Sequence, residues 1–357
     1  MKFTISFAIL FSFGALTAPQ TVHSGPVVEG AIPSEVDWFV HVDMEMLRAS
    51  KTGSAFHDEF KAIIPIPNKD ELPIDPILIA DGVTGITVFG TMPDFSQENF
   101  EPDAVVILEG TGDLLQVAKG LVSGMQIEQP EAIVPVEGDS NGILSIQGGQ
   151  IYGSFVDENR LALSKTLPSL QNFFSTYNGT SAHINLSERF AIYSGDAASG
   201  IFFGAFVEGL NEFEGLPAQA RILQLTEAVS LQLGEQGDYL NLLTSLMTAD
   251  EKTAAQVSEV LKGLIAVFAL SNPGNPEITT LVQSAKVSLN ERTVSLNISY
   301  PVEAAVVWAQ TLAQMAKAEM EAEKAAEEAE AAAEEAEAAA AEAEAEAEAT
   351  ADPETAG

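Results

Sequence analysis

Alternating apolar and polar positions mark strands along most of this chain. Val287 and Leu289 are followed, past a turn at Asn290-Glu-Arg292, by Val294, Leu296 and Ile298. That period of two puts successive side chains on opposite faces of a sheet. One unit recurs four times as strand, turn, strand, helix. The first copy spans Gly85 to Phe89, Ala104 to Leu108 and a helix from Asp113 to Leu121. The second spans Ile151 to Val156, Leu161 to Ser164 and a helix from Pro168 to Tyr177. The third spans Ala228 to Leu233, Tyr239 to Thr248 and a helix from Asp250 to Leu270. The fourth spans Ala285 to Leu289, Thr293 to Ser299 and a helix from Val302 onward.

Local chemistry supports these elements. The turns carry Asn, Asp and Gly, which tolerate left-handed backbone. Helix starts carry Thr111 or Asp113, Thr166, Thr248 or Asp250, and Ser299, whose oxygens can accept from free amides. Pro168 and Pro301 fall in or near first turns, where a missing N–H is tolerated. Val257, Val260, Leu261, Leu264, Ile265 and Phe268 give the third helix a wide apolar face, predicted to lie on the hairpin sheet. The expected fold class is α+β: two related lobes of mostly antiparallel sheet with helices on one face. The lobes are residues 25–180 and 181–316, joined near Asn178-Gly-Thr-Ser-Ala182. One sheet face per lobe would stay open to a ligand, a partner or the other lobe.

Both ends differ from this pattern. Lys2 precedes an uncharged, mostly apolar run from Phe3 to Ala18, the pattern of a secretory signal peptide. Val22-His-Ser24 before Gly25 is the favoured cut, so residues 1–24 are expected to be removed and the chain to act in the periplasm or outside the cell. No later segment reads as a stable membrane span. From Lys317 to Gly357 the chain is Ala/Glu-rich, with tandem Ala-Ala-Glu-Glu-Ala-Glu-Ala copies from Ala325. Ala and Glu favour helix, but closely spaced Glu residues repel, so a helix fraying into an acidic tail is expected.

Composition sharpens the picture. The hydrophobic fraction of 46% suffices for a real core. There is no cysteine, which excludes disulfide staples, thiol chemistry and a lipid-acylated N-terminus. The net charge of −36 disfavours nucleic acid and anionic headgroups as partners. No stretch has the spaced carboxylates of a calcium loop.

Candidate chemistry is sparse. In Asp37-Trp-Phe-Val-His-Val-Asp43, the residues Asp37, Phe39, His41 and Asp43 share one strand face, so His41 stands between two carboxylates. Asp43 also precedes a helical stretch from Met44 to about Ala62, where it suits the cap, and that reading is preferred. His57 reads as part of a solvated helix face, and His183 lies near the joint. There is no G-x-S-x-G, S-x-x-K or Gly-rich phosphate loop. We therefore assign no catalytic, cofactor-binding or metal-ligating residue and no cofactor. Asn178, Asn185 and Asn297 begin glycosylation triplets of a kind common by chance.

The opening Trp38-Phe-Val-His-Val-Asp43, then Leu47-Arg-Ala-Ser-Lys-Thr-Gly53 and Phe56, resembles exported bacterial proteins of unknown function. In those, a V-H-V-D strand leads into a helix, and strands like Gly85-Ile-Thr-Val-Phe-Gly90 and Val106-Ile-Leu-Glu-Gly110 follow. The resemblance implies an export-associated family and carries over no functional residue. The sequence thus points to a non-catalytic binding or envelope-associated module using sheet faces or the inter-lobe cleft. Its partner would be a protein or a small-molecule or lipid ligand. The rival is a carboxylate-dependent hydrolase acting in an inter-lobe groove.

Overall fold

Strand β1 (Trp38–Asp43) has one neighbour from each half of the chain: Phe39 pairs with Phe89 on one side and Phe206 on the other. The computed structural model describes residues 29–55, 81–92, 103–184, 190, 200–212, 218–271, 274, 276–308, 310–311, 314–315 and 317–318. The expected signal peptide, His57 and all of the acidic tail beyond residue 318 lie outside them.

The other strands are β2 (Val83–Gly90), β3 (Ala104–Gly110), β4 (Ile133–Pro135), β5 (Leu144–Ile146), β6 (Ile151–Phe155) and β7 (Arg160–Ser164). They continue as β8 (Ile201–Glu208), β9 (Thr226–Gln236), β10 (Tyr239–Thr248), β11 (Lys286–Asn290) and β12 (Thr293–Pro301). All twelve form one sheet in the order β11-β12-β10-β9-β8-β1-β2-β3-β7-β6-β5-β4. Every pairing is antiparallel, and with its helices the fold is α+β, as the sequence predicts. Strands from residues 25–180 fill one side and strands from 181–316 the other. The two halves therefore share one sheet, and at β1–β8 a ladder of hydrogen bonds stands where a cleft was expected.

Helices α1 (Met44–Ala49), α2 (Gly112–Glu128), α3 (Leu167–Tyr177), α4 (Glu251–Ser271) and α5 (Pro276–Ser284) attach to this sheet. Four caps are those the sequence suggests. Asp43 accepts from the Met46 amide at 2.8 Å, Thr111 from Leu114 at 3.4 Å and Thr166 from Ser169 at 3.4 Å. Asp250 caps α4 by accepting from the Thr253 amide at 2.8 Å. The stretch predicted as a helix from Met44 to about Ala62 breaks at Ser50, whose extended backbone ends α1 before a second helical segment at residues 51–55. Another helix begins at Val302, where Val302 and Ala305 are buried.

Expected on one face, the helices divide between two. On the first face, α3 sets Leu170, Phe173 and Phe174 against Phe89, Val105, Ile107 and Ala162. Phe39, Phe190 and Phe206 complete that core, with ring centroids 5.8 to 5.9 Å apart. On the second face, Met44 and Leu47 of the first helix and Leu114 of α2 pack with Val42, Ile86, Val88 and Phe203. The physical reason lies in the central strands. They are apolar on both sides, so each side needs cover.

Residues through Val307 form one compact unit and Trp308 onward a second. In the second unit the described residues are helical, with Trp308 and Met315 exposed.

Candidate binding surface

The sequence brings His41, Asp37 and Asp43 to one strand face, and the structure gives each a separate task. His41 is buried, and its Nδ1 shares a hydrogen bond of 2.8 Å with Thr87 Oγ1. Its Nε2 is buried with no hydrogen-bond partner among the described residues. Burial pushes the imidazole down to about 4. Asp37 accepts from the Met92 amide at 2.6 Å, and Asp43 caps α1. An imidazole held near 4 by burial is too weak a base for general-base work near pH 7, and it opens on no described cleft. His183 forms an isolated bridge with Pro33. Among the described residues no three His, Asp or Glu side chains gather as a metal site.

A second polar group has a structural task. Arg160 on β7 donates from Nε to Glu109 Oε1 at 2.8 Å and from Nη1 to Asp157 Oδ2 at 3.2 Å. Tyr177, at the end of α3, donates its hydroxyl to the same Asp157 oxygen at 3.1 Å. Burial lowers the guanidinium pKa, but the hydrogen bond and charge of Glu109, with Asp157 and Tyr177, outweigh it and raise the pKa. The network ties α3 to β3 and β7.

A cleft of about 70 Å³ opens where α3 starts, lined by Glu35, Val36, Phe89, Asp103, Ser169 and Asn172 among others. Ligand pockets run to roughly 300–1,000 Å³, so this one holds little more than water. Its Asp103 is already engaged, accepting from Thr166 Oγ1 at 2.9 Å and Ser169 Oγ at 2.6 Å. The carboxylate braces a helix cap.

The feature that most departs from a closed fold lies on α4. Its first turns behave as expected. Ala254 and Val257 pack on Leu246 and Val294, with Leu261, Val229 and Val287 around them. Beyond Leu261 the helix is covered little. Leu264 is 46%, Val267 59%, Phe268 47% and Leu270 79% exposed. No charged residue occurs from Gly263 through Pro276, and Lys262, paired to Glu259 at 2.8 Å, marks the edge. The sequence reading laid the whole apolar face on the sheet; the structure lays down only its first half. No segment after the leader was expected to be long and apolar enough to span a membrane, but by length and composition alone α4 is.

The sheet beneath is also incompletely covered. On the second face Leu231 lies across from Thr244 and Thr244 from Leu296, while Leu233 lies across from Leu242 and Leu242 from Ile298. The Leu and Ile side chains of these two rows are only partly buried. On the first face of the same strands Ala228 and Met247 are buried, and so are polar Ser230, Gln232 and Ser245. Leu231, Leu233, Leu242, Leu296 and Ile298 on the second face are thus left wetter than these three polar side chains. The period-two pattern could show which residues share a face, but not which face is covered. The charge-free run from Gly263 was the available signal.

No protein-family model and no curated protein matches the chain. Solved structures similar to it include crystal forms of TP0453. Form I is 10% identical with a TM-score of 0.41, covering 81% of this chain and 98% of that one. Form III is 11% identical with a TM-score of 0.43, covering 82% and 99%. Form IV is 10% identical with a TM-score of 0.43, covering 81% and 96%. At this level of likeness no residue role passes from them to this chain.

Proposed function

We propose that this chain is an exported, non-catalytic binding protein that takes an apolar partner on the outer half of α4 and the neighbouring second face of the sheet. The observation that carries the reading is the exposure of Leu264, Val267, Phe268 and Leu270 in a protein of net charge −36. Contiguous exposed apolar patches mark interaction sites more often than isolated residues do. The rival hydrolase finds less support, because the β1–β8 ladder stands where its groove was expected and Asp103, in the small cleft at α3, serves a cap.

Binding of an apolar fluorescent dye tests this. The full chain should bind the dye, and Leu264→Gln with Phe268→Gln should reduce binding severalfold without moving the thermal midpoint. Ile127→Gln, at an exposed position on α2, should leave it unchanged. Equal dye binding in the parent and the α4 variant overturns the proposal.

A further inference from the structure

We infer that the apolar partner is the acyl layer of an uncharged or zwitterionic lipid surface, entered by the outer half of α4 to the depth of about one leaflet. This rests on the binding reading above and names its partner.

Shape and length carry the first part. The stretch Gly263–Ser271 continues a helix whose base is fixed on the sheet by Ala254 and Val257. At about 1.5 Å per residue it rises roughly 13 Å. The hydrocarbon core of a bilayer is about 30 Å thick, so this stretch enters one leaflet and cannot cross. The whole of α4 has the length to cross, but its base holds Glu251, Lys252 and Glu259 and is packed on Leu246 and Val294. A crossing would have to pull that base off the sheet and drag those charges with it. Shallow insertion requires neither change.

The side chains fit a fluid layer. Val267, Phe268 and Leu270 point to several sides of the helix at about 100° per residue, with Gly263, Ala266 and Ala269 between them. Ile265 and Ala269 on the inner side are partly buried and the exposed side chains spread over the rest of the circumference, a breadth that suits a fluid apolar layer, whereas docking on one rigid partner needs a single stripe. Lys262 sits at the boundary, where a long cationic side chain can reach the phosphate level.

Size and charge decide against the main alternatives. Val260, Leu264, Val267, Phe268 and Leu270 are the large exposed apolar side chains of α4, few beside the roughly 20–30 residues a side of a standard protein interface. A second copy meeting this patch would also bring two bodies of charge −36 together. The same charge repels anionic headgroups and leaves zwitterionic ones as the matching surface.

Phosphatidylcholine vesicles, plain or with brominated acyl chains, provide the test on the full chain. Leader and tail are common to parent and variants, so differences report α4. Phe268→Trp should add emission that shifts to the blue on plain vesicles and is quenched severalfold by the brominated ones. The signal of Trp38 and Trp308 in the parent is subtracted. Leu264→Gln with Val267→Gln should lower vesicle partitioning about tenfold. Phosphatidylglycerol vesicles should bind less well at low salt and recover as salt screens the repulsion. If the emission added by Phe268→Trp is unmoved by vesicles while dye binding still depends on Leu264 and Phe268, the lipid assignment fails and the apolar-partner reading stands. If dye binding is also independent of α4, both fail. Concentration-dependent dimerisation abolished by the α4 variant, without vesicle binding, assigns the patch to a second copy and overturns the lipid partner.

Discussion

His41 on β1 and Thr87 on β2 face each other across the first sheet face, joined by a hydrogen bond of 2.8 Å between Nδ1 and the hydroxyl. The other in-register neighbour of His41 is Gly204, which has no side chain. No titratable group directly opposes the imidazole in either register, and burial alone holds its pKa at about 4 against 6.5 when unfolded. Below pH 6.5 the unfolded chain binds a proton that the folded chain refuses. Stability is therefore lost as pH falls from about 6.5 and levels off below about 4, by roughly 3 kcal/mol in all. Urea unfolding of the parent and His41→Leu at neutral pH and near pH 5 isolates this contribution. The parent should lose about 2 kcal/mol more than the variant between the two conditions. Equal losses mean that His41 does not stay neutral on folding.

Arg160 and Glu109 are the second test. With their side chains 29% and 10% exposed, this 2.8 Å pair is only partly screened by water. Removing Glu109's charge leaves Arg160 with Asp157 at 3.2 Å, so the cost falls from the 3–5 kcal/mol of stranding a fully buried charge to about 2 kcal/mol. Glu109→Gln should destabilise by about that much. Gly85→Ala should act through the same pair, because a Cβ at Gly85 would stand 2.8 Å from Glu109 Oε2 and push the carboxylate away. The check is the double variant: Gly85→Ala should add little once Glu109 is Gln, since the two act on one interaction.

Much of this architecture is legible in the chain because its signals are local. Thr111, Thr166 and Asp43 cap where sequence places caps, since a cap needs only the next three residues. The hairpins β6–β7, β9–β10 and β11–β12 follow from alternation interrupted by turn residues. What local pattern cannot hold is which hairpin lies beside which. The β1–β8 pairing joins residues more than 160 positions apart and merges two expected sheets into one. The helices could not be assigned to one face either, because Phe39 and Val42 are both apolar and a period of two separates faces without ranking them. The same limit hid the candidate surface, since Leu261 and Leu264 look alike in sequence and only packing covers the first and leaves the second exposed.

Glu235 on β9 supplies the third test. Its carboxylate accepts from the Lys51 amide at 2.9 Å and the Thr52 amide at 3.0 Å, 183 residues away from Thr52 in sequence. Residues 51–55 are helical, and an acidic group at the start of a helical turn satisfies amides that have no carbonyl partner within it and complements the helix dipole. Glu235→Ala should cost about 1 kcal/mol. Hydrogen exchange should show faster exchange confined to residues 51–55, with β9 amides unchanged. Loss of protection along β9 instead would mean that Glu235 matters to the strand and not to the cap.

The final test concerns whether the halves unfold together. Phe39 is fully buried and stacks on Phe206 of the second half at 5.8 Å, while its strand pairs with β2 of the first. Truncating such a ring leaves a cavity at the seam, and Phe39→Ala should cost about 3–5 kcal/mol. Two lobes with separate cores would lose stability only in the lobe that owns the ring. In a single sheet closed at β1–β8, the core beside β2 and β3 and the core beside β9 and β10 share Phe39 and Phe206, and neither can open alone. Tryptophans placed one in each half, at Leu163→Trp and Leu243→Trp, should report the same urea midpoint in the parent and the same lowered midpoint in Phe39→Ala. Two separated midpoints, with only one shifted by the substitution, would show that the β1–β8 ladder joins the halves in space without coupling them in folding.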